Sequence, residues 1–183
     1  MQIDAIQFQL KDGREAILRS PCEADIPNMI SYLVQSSGET EFLLRYPEEC
    51  ARYTPEIEKE ILERCNTSPY QAMLVCLVDG EIAGNCMISF NDRIKTRHRA
   101  AVAIALLRNY WNLGIGTRMF EEMIRIARQQ EYVTMLELDF IEGNFRARAL
   151  YEKMGFRITG VRPNAIRLRD GTLLNEYMMI KEL

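Results

Sequence analysis

The sequence predicts a single mixed α/β (α+β) domain spanning residues 1–183, with a mainly antiparallel sheet and helices packed around it. Three observations carry this. Turn sequences K-D-G, D-G and R-D-G each sit between runs of strand character and mark three hairpins. Several segments between them repeat their apolar residues at helical spacing. One apolar run, Ala100 to Leu107, passes through Y-W-N-L-G-I-G-T straight into such a helical segment.

In chain order, alternation in Ile3 to Leu10 and Glu15 to Arg19 around Lys11-Asp12-Gly13 predicts an opening hairpin. Ile26, Met29, Ile30 and Leu33 then predict a first helix. "T-P-E-I-E-K-E-I-L-E-R-C" predicts a second, with Thr54 as N-cap, Pro55 at the first helical position and acids in the first turn. Met73 to Val78 and Glu81 to Phe90 form a hairpin about Asp79-Gly80. Ala100 to Leu107 is uninterrupted and apolar, which predicts a strand covered on both faces.

From Gly114 to Gln130 the residues Ile115, Met119, Met123 and Ile126 recur at 3.6 spacing and predict a third helix. A strand over Val133 to Ile141 and a helix from Asn144 to Met154 follow, with Gly155 as the C-terminal stop. Phe156 to Leu168 and Thr172 to Ile180 close the chain as a last hairpin. No repeat, low-complexity stretch or linker divides the sequence.

Composition narrows the function classes. Of 183 residues, 48% are hydrophobic, with ten glycines and six prolines, so disorder and fibrous repeats are excluded. Lys and Arg number 23 against 26 Asp and Glu, and no long single-sign run suggests a nucleic-acid or membrane partner. Charge is uneven, however. Glu39 to Arg64 carries eight acids and four bases, whereas Glu142 to Arg169 carries seven bases and two acids. Two ligand ends of opposite sign, or two solvated helix faces, both account for this.

Five cysteines without a C-x-x-C pair read as reduced, mostly buried thiols. With no signal-peptide pattern at the N-terminus and no apolar run near the roughly 20 residues of a membrane span, a cytoplasmic location is expected.

The glycine turn needs a reason. A tight turn entering a helix leaves the first amides of that helix without intrahelical acceptors, and the helix dipole adds positive potential there. Amides at Leu113, Gly114, Ile115, Gly116 and Thr117, with the Thr117 hydroxyl, would therefore suit a pyrophosphate. A bare turn using glycine for positive φ explains the same residues. No third glycine and no G-K-[ST] follows, which disfavours a dinucleotide fold or a P-loop.

A second motif decides between these readings. In "E-G-N-F-R-A-R-A-L-Y-E-K-M-G-F", Glu142 to Phe156, the residues Asn144, Ala147, Leu150, Tyr151, Gly155 and Phe156 match N-x-x-A-x-x-L-Y-x-x-x-G-F. Together with Trp111-Asn112-Leu113-Gly114-Ile115-Gly116, matched to [Q/R]-x-x-G-x-[G/A], the chain resembles the GNAT superfamily of acyl-CoA-dependent N-acetyltransferases. Trp111 stands where the family has Gln or Arg, the loss of one optional contact beside the pyrophosphate.

The resemblance extends from about Ala16 to the C-terminus and implies a GNAT-like sheet with a splayed parallel strand pair, Ala100 to Leu107 beside Val133 to Ile141. It also implies acetyl-CoA as co-substrate, a pantetheine arm paired with the backbone of Ile104, Ala105 and Leu106, and a cofactor contact from Asn144. Tyr151 becomes the proton donor to the leaving thiolate. As a helix tyrosine it equally suits packing beside the sheet.

Direct acetyl transfer to a primary amine of a small molecule or peptide is the expected reaction. It needs a neutral nucleophile, a stabilised oxyanion and a proton for the thiolate. Glu137 is the candidate base, with a solvent-facing strand position as the alternative. His98, the one histidine, sits between Arg97 and Arg99 at a loop end and reads as a surface residue. No metal spacing and no Ser-His-Asp arrangement is visible.

In the superfamily the acceptor enters across the first two helices and their connection. Here that connection carries Glu39 and Glu41, carboxylates suited to a cationic amine. Polyamine, aminoglycoside, amino acid and protein N-terminus all remain open acceptors, as does a homodimer. A transferase of another acyl-CoA and a non-catalytic acyl-CoA-binding module are the competing functions.

Overall fold

A computed structural model describes residues Met1–Leu183, all of the chain. The elements run β1 (Ile6–Gln9), β2 (Glu15–Arg19), α1 (Ile26–Gly38), α2 (Pro55–Thr67), β3 (Gln71–Val78), β4 (Glu81–Phe90), β5 (Arg99–Leu106), α3 (Ile115–Arg128), β6 (Met135–Ile141), α4 (Phe145–Lys153), β7 (Arg157–Arg167) and β8 (Leu173–Glu182). Short 3-10 turns at Pro47–Arg52 and Arg108–Tyr110, which no periodicity announces, join α1 to α2 and β5 to α3. The architecture is the expected mixed α/β one. A mostly antiparallel sheet, in the order β1-β2-β3-β4-β5-β6-β8-β7, includes one parallel pair and is flanked by helices.

The chain forms two compact units, and β5 and α3 contribute to both. The first comprises Met1–Ser89 with Ala103–Met119. Its β1 to β4 form an antiparallel meander whose turns are the predicted ones: Gly13 and Asp79-Gly80 all adopt positive φ. Thr54 caps α2 as its sequence predicts, with its hydroxyl accepting the Ile57 N–H at 3.4 Å. One core cluster holds Ile26, Met29, Tyr32 and Leu33 of α1, Leu62 and Cys65 of α2, and Met73, Val75 and Leu77 of β3. Cys50, Cys65, Cys76 and Cys86 are buried free thiols, while Cys22 is exposed.

In this unit β4 carries an irregularity that shapes everything after it. The β3–β4 register shifts between Cys76 and Leu77, so that Cys76 faces Gly84 and Leu77 faces Ile82, with Ala83 bulged out. The Ala83 carbonyl accepts the Leu107 N–H at 2.9 Å, and Gly84 lies flat against the end of β5.

The second unit comprises Phe90–Val102 with Phe120–Leu183. Its β5 segment pairs in parallel with β6 over Arg99–Ala101 and Met135–Glu137, and β8 pairs antiparallel with β6 and β7. Gly155, at φ +87°, ends α4 as expected. One expectation fails in part: β5 is not covered on both faces, because Ala101 and Ala103 are exposed while Ala100 and Val102 are buried. Alanine counts as apolar in a sequence pattern yet has little surface to bury, so an apolar run of alanines does not fix two covered faces.

At Gly84 an added Cβ would lie 2.2 Å from Leu106 Cδ2 and 2.6 Å from the Ala105 carbonyl oxygen. Gly84→Ala is therefore expected to destabilise the protein by about 1–3 kcal/mol, the usual cost of forcing atoms into a packed site. Urea unfolding measures it, and an unchanged midpoint would mean that β5 yields at no cost.

Candidate active site

In the first unit the predicted anion turn forms as a sharp break between β5 and α3. Asn112 and Gly114 both take positive φ, +66° and +97°, and the Arg118 N–H donates to the Gly114 carbonyl at 3.1 Å, closing the first helical bond of α3. The amides of Ile115 and Gly116 thus lie ahead of that bond, with Thr117 on the same first turn. Gly114 needs its glycine for φ, and a side chain there would be strained. The Leu113 carbonyl accepts the Lys11 N–H at 3.2 Å, which fixes the turn from the opening hairpin.

Sequence reasoning treats Trp111 as a lost contact, but the structure gives it a task. Its indole N–H donates to the Leu106 carbonyl at 3.0 Å, and the Arg108 guanidinium sits 5.5 Å from its ring centroid. The end of β5 is thereby tied to the turn that follows it.

Ile104, Ala105 and Leu106, the predicted pantetheine strand, are half-buried at this end of β5. Two of their carbonyls already accept hydrogen bonds. Leu106 serves Trp111, and Ala105 accepts from the Tyr32 hydroxyl at 2.9 Å. The Asn85 side-chain oxygen also lies 2.9 Å from that hydroxyl. A hydroxyl has one proton, so both contacts are satisfied together when the Asn85 amide is turned to donate and Tyr32 donates to Ala105. Burial pushes the Tyr32 phenol up, which keeps it a donor.

Glu39 and Glu41 differ in their surroundings. Glu39 follows α1, its carboxylate accepting the Arg108 N–H at 2.6 Å and the Gln35 side-chain amide at 3.0 Å, while the Arg108 guanidinium donates to its carbonyl. It anchors the turn after β5 to the end of α1. Glu41 is exposed and engages nothing within the protein.

In the second unit Asn144 is the N-cap of α4, its side-chain oxygen accepting the Ala147 N–H at 3.2 Å. That leaves its amide hydrogens as the atoms able to serve a ligand. Tyr151, two turns along α4, is buried among Phe120, Phe140 and Phe156, with ring centroids 5.5, 6.2 and 6.3 Å away. Its packing and its candidacy as a donor coexist, since the hydroxyl bonds to nothing in the protein.

Glu137 is on β6, opposite Ala101 and Ile180. Its carboxylate pairs with the Arg99 guanidinium at 3.2 Å. His98 is exposed, as expected, and contributes its backbone carbonyl to the Thr134 and Met135 amides.

The acetyltransferase (GNAT) family model matches residues 37–156, and the chain belongs to that family. It is 29% identical over 119 residues to the L-amino acid N-acetyltransferase AaaT of Escherichia coli (strain K12), covering 65% of this chain and 73% of that one. Among solved structures, a GNAT-family acetyltransferase from Streptococcus pneumoniae superposes with a TM-score of 0.83 at 27% identity, covering 92% of this chain and 99% of the other. The protein yncA of Salmonella typhimurium, solved with its cofactor acetyl-CoA, shares the fold with a TM-score of 0.75 at 16% identity, covering 91% of this chain and 92% of that one. The protein is an acyltransferase.

Burial pushes the Tyr151 phenol up to about 12. A neutral phenol is the form that donates, so its contribution is present below that value and lost only as pH rises through it. If Tyr151 donates, kcat is expected to show no basic limb from it between about pH 7 and pH 10, where an unperturbed tyrosine would begin to ionise. A pH–kcat profile in which a limb near pH 10 disappears in Tyr151→Phe would overturn this.

Proposed function

We propose that the protein transfers the acetyl group of acetyl-CoA directly, in a ternary complex, to the primary amine of a small-molecule or peptide acceptor, with an L-amino acid as the acceptor of choice. The observation that carries the reading is the turn before α3, where Asn112 and Gly114 take positive φ and the first amides of the helix lie ahead of its first hydrogen bond. Those amides suit a pyrophosphate, and CoA carries one. Acyl transfer follows from family membership. The choice of acceptor draws on the activity named for the 29% identical E. coli relative.

On this reading the turn holds the pyrophosphate and backbone groups of Ile104, Ala105 and Leu106 pair with the pantetheine arm. The Asn144 amide adds a further cofactor contact. Tyr151 gives its proton to the departing thiolate. Glu137 or a water beside it takes the proton of the amine, and Glu41, with its unengaged carboxylate, favours a cationic approach to the site. The cytoplasm is the proposed location.

A thiol-release assay with acetyl-CoA across amino acids, polyamines, aminoglycosides and N-terminal peptides tests the whole reading. Gly116→Asp, which puts a side chain and a negative charge on the pyrophosphate turn, is expected to abolish CoA binding in calorimetry while the protein stays folded. Unchanged binding removes the turn from the site. Tyr151→Phe is expected to lower kcat by roughly 10²–10⁴-fold, the size of a general-acid contribution, with cofactor affinity retained. An unchanged single-turnover rate rejects the donor role.

A further inference from the structure

The first unit contains a group of charged and polar side chains that none of the roles above uses. Arg45 lies in the connection between α1 and α2, with its Nε buried and without a hydrogen-bond partner, and its guanidinium forms no ion pair. Glu58, on the first turns of α2, is only 3% exposed, and its carboxylate likewise makes no hydrogen bond or ion pair. Arg45 lies within electrostatic reach of both Glu58 and the Tyr32 phenol, drawing the protons of both toward release. Burial acts the other way on Glu58 and raises its carboxyl. Tyr32 in turn bonds to the Ala105 carbonyl on β5, so the group adjoins the strand proposed to carry the pantetheine arm.

A buried carboxylate with no bonding partner, and a guanidinium whose Nε is buried and unbonded, are costly in a folded protein. The usual compensation is a direct pair with well-made hydrogen bonds. Here the pair is left open. A molecule bearing both signs supplies the missing contacts, because a guanidinium matches a carboxylate through parallel N–H donors and a carboxylate matches an ammonium group. Polyamines and aminoglycosides offer nothing to Arg45.

We infer that Arg45 and Glu58, with Tyr32 beside them, form an acceptor subsite for a zwitterion, in which Arg45 takes the carboxylate of an α-amino acid and Glu58 meets its ammonium end. This rests on the amine-acetylation reading and deepens it, since it names the feature by which the acceptor is selected. The subsite discriminates by chemistry rather than shape: an amino acid satisfies both groups, whereas its carboxamide leaves Arg45 unpaired. Sites built to pair a polar group reject analogues that lack it far more strongly than apolar pockets reject a missing methylene.

The test compares the best amino acid of the panel with its own carboxamide as acetyl acceptors. Wild-type protein is expected to favour the free carboxylate by at least roughly tenfold in kcat/KM, the loss expected when a charge-assisted contact is removed. In Arg45→Gln the ratio should fall close to one, with the change appearing in the acceptor KM and not in the KM for acetyl-CoA. A merely structural role for Arg45 would move both acceptors alike. A measurement on wild-type protein guards against a variant that does not fold: the desamino carboxylic acid of the same amino acid should inhibit competitively against the amino acid, and its carboxamide should not. An equal ratio in wild type and Arg45→Gln, or equal inhibition by acid and carboxamide, overturns the subsite while leaving amine acetylation intact. If no amine in the panel is acetylated, the transfer reading falls and the subsite with it.

Discussion

The end of β5 is where the first unit concentrates its constraints. Four contacts from different parts of the chain meet within three residues: Gly84 lies against Ala105 and Leu106, the Ala83 carbonyl accepts from Leu107, Tyr32 donates to Ala105, and the Trp111 indole donates to Leu106. The β4 bulge makes the first two possible, because it lets backbone approach backbone where a Cβ would collide. Glu39 adds a fifth tie one residue further, at the Arg108 amide. A strand whose last residues are fixed this way hands a turn of defined direction to α3. The position of the amides ahead of the first helical bond follows from that direction, and an anion site built from backbone works only if the backbone is held.

This explains which parts were legible in the sequence. Hairpins at Asp12-Gly13 and Asp79-Gly80, the Thr54 cap and the amphipathic α3 rest on residues near one another in the chain, where turn chemistry and spacing dictate the outcome. The two motifs about Gly114 and Tyr151 were legible for the same reason. The task of Trp111 was not legible, since its partner, the Leu106 carbonyl, is a backbone atom that no residue pattern marks. No sequence pattern singles out Tyr32. Its contacts lie 53 and 73 residues away, at Asn85 and Ala105, and only folding brings them together.

The carboxylates illustrate how little a charge says without its surroundings. Glu39 and Glu41, two residues apart, looked equivalent as acidic candidates. One is spent on the Arg108 amide and Gln35, and the other stands exposed. Glu137 is held by Arg99, whereas Glu58 on α2 is buried. Its spacing to Leu62 and Cys65 places it on the core face of α2, the one sequence signal that could have singled it out. A carboxylate on an apolar stripe contradicts the pattern around it, and such contradictions cluster at functional positions.

Tyr151 shows how the same burial both serves and limits the proposed chemistry. Enclosed by Phe120, Phe140 and Phe156, its phenol is pushed up to about 12, so the proton is present at neutral pH and stays until it is needed. A thiol near 8.5 is the stronger acid by a margin worth roughly 5 kcal/mol, so full transfer from the phenol to a finished thiolate runs uphill. On the proposed reading, therefore, Tyr151 acts while the carbon–sulfur bond breaks, as a hydrogen-bond donor to sulfur carrying partial charge. Its proton moves completely only as the amine gives up its own. The apolar ring around Tyr151 strengthens such a bond by excluding water, and in the same step ties departure of the thiolate to deprotonation of the acceptor.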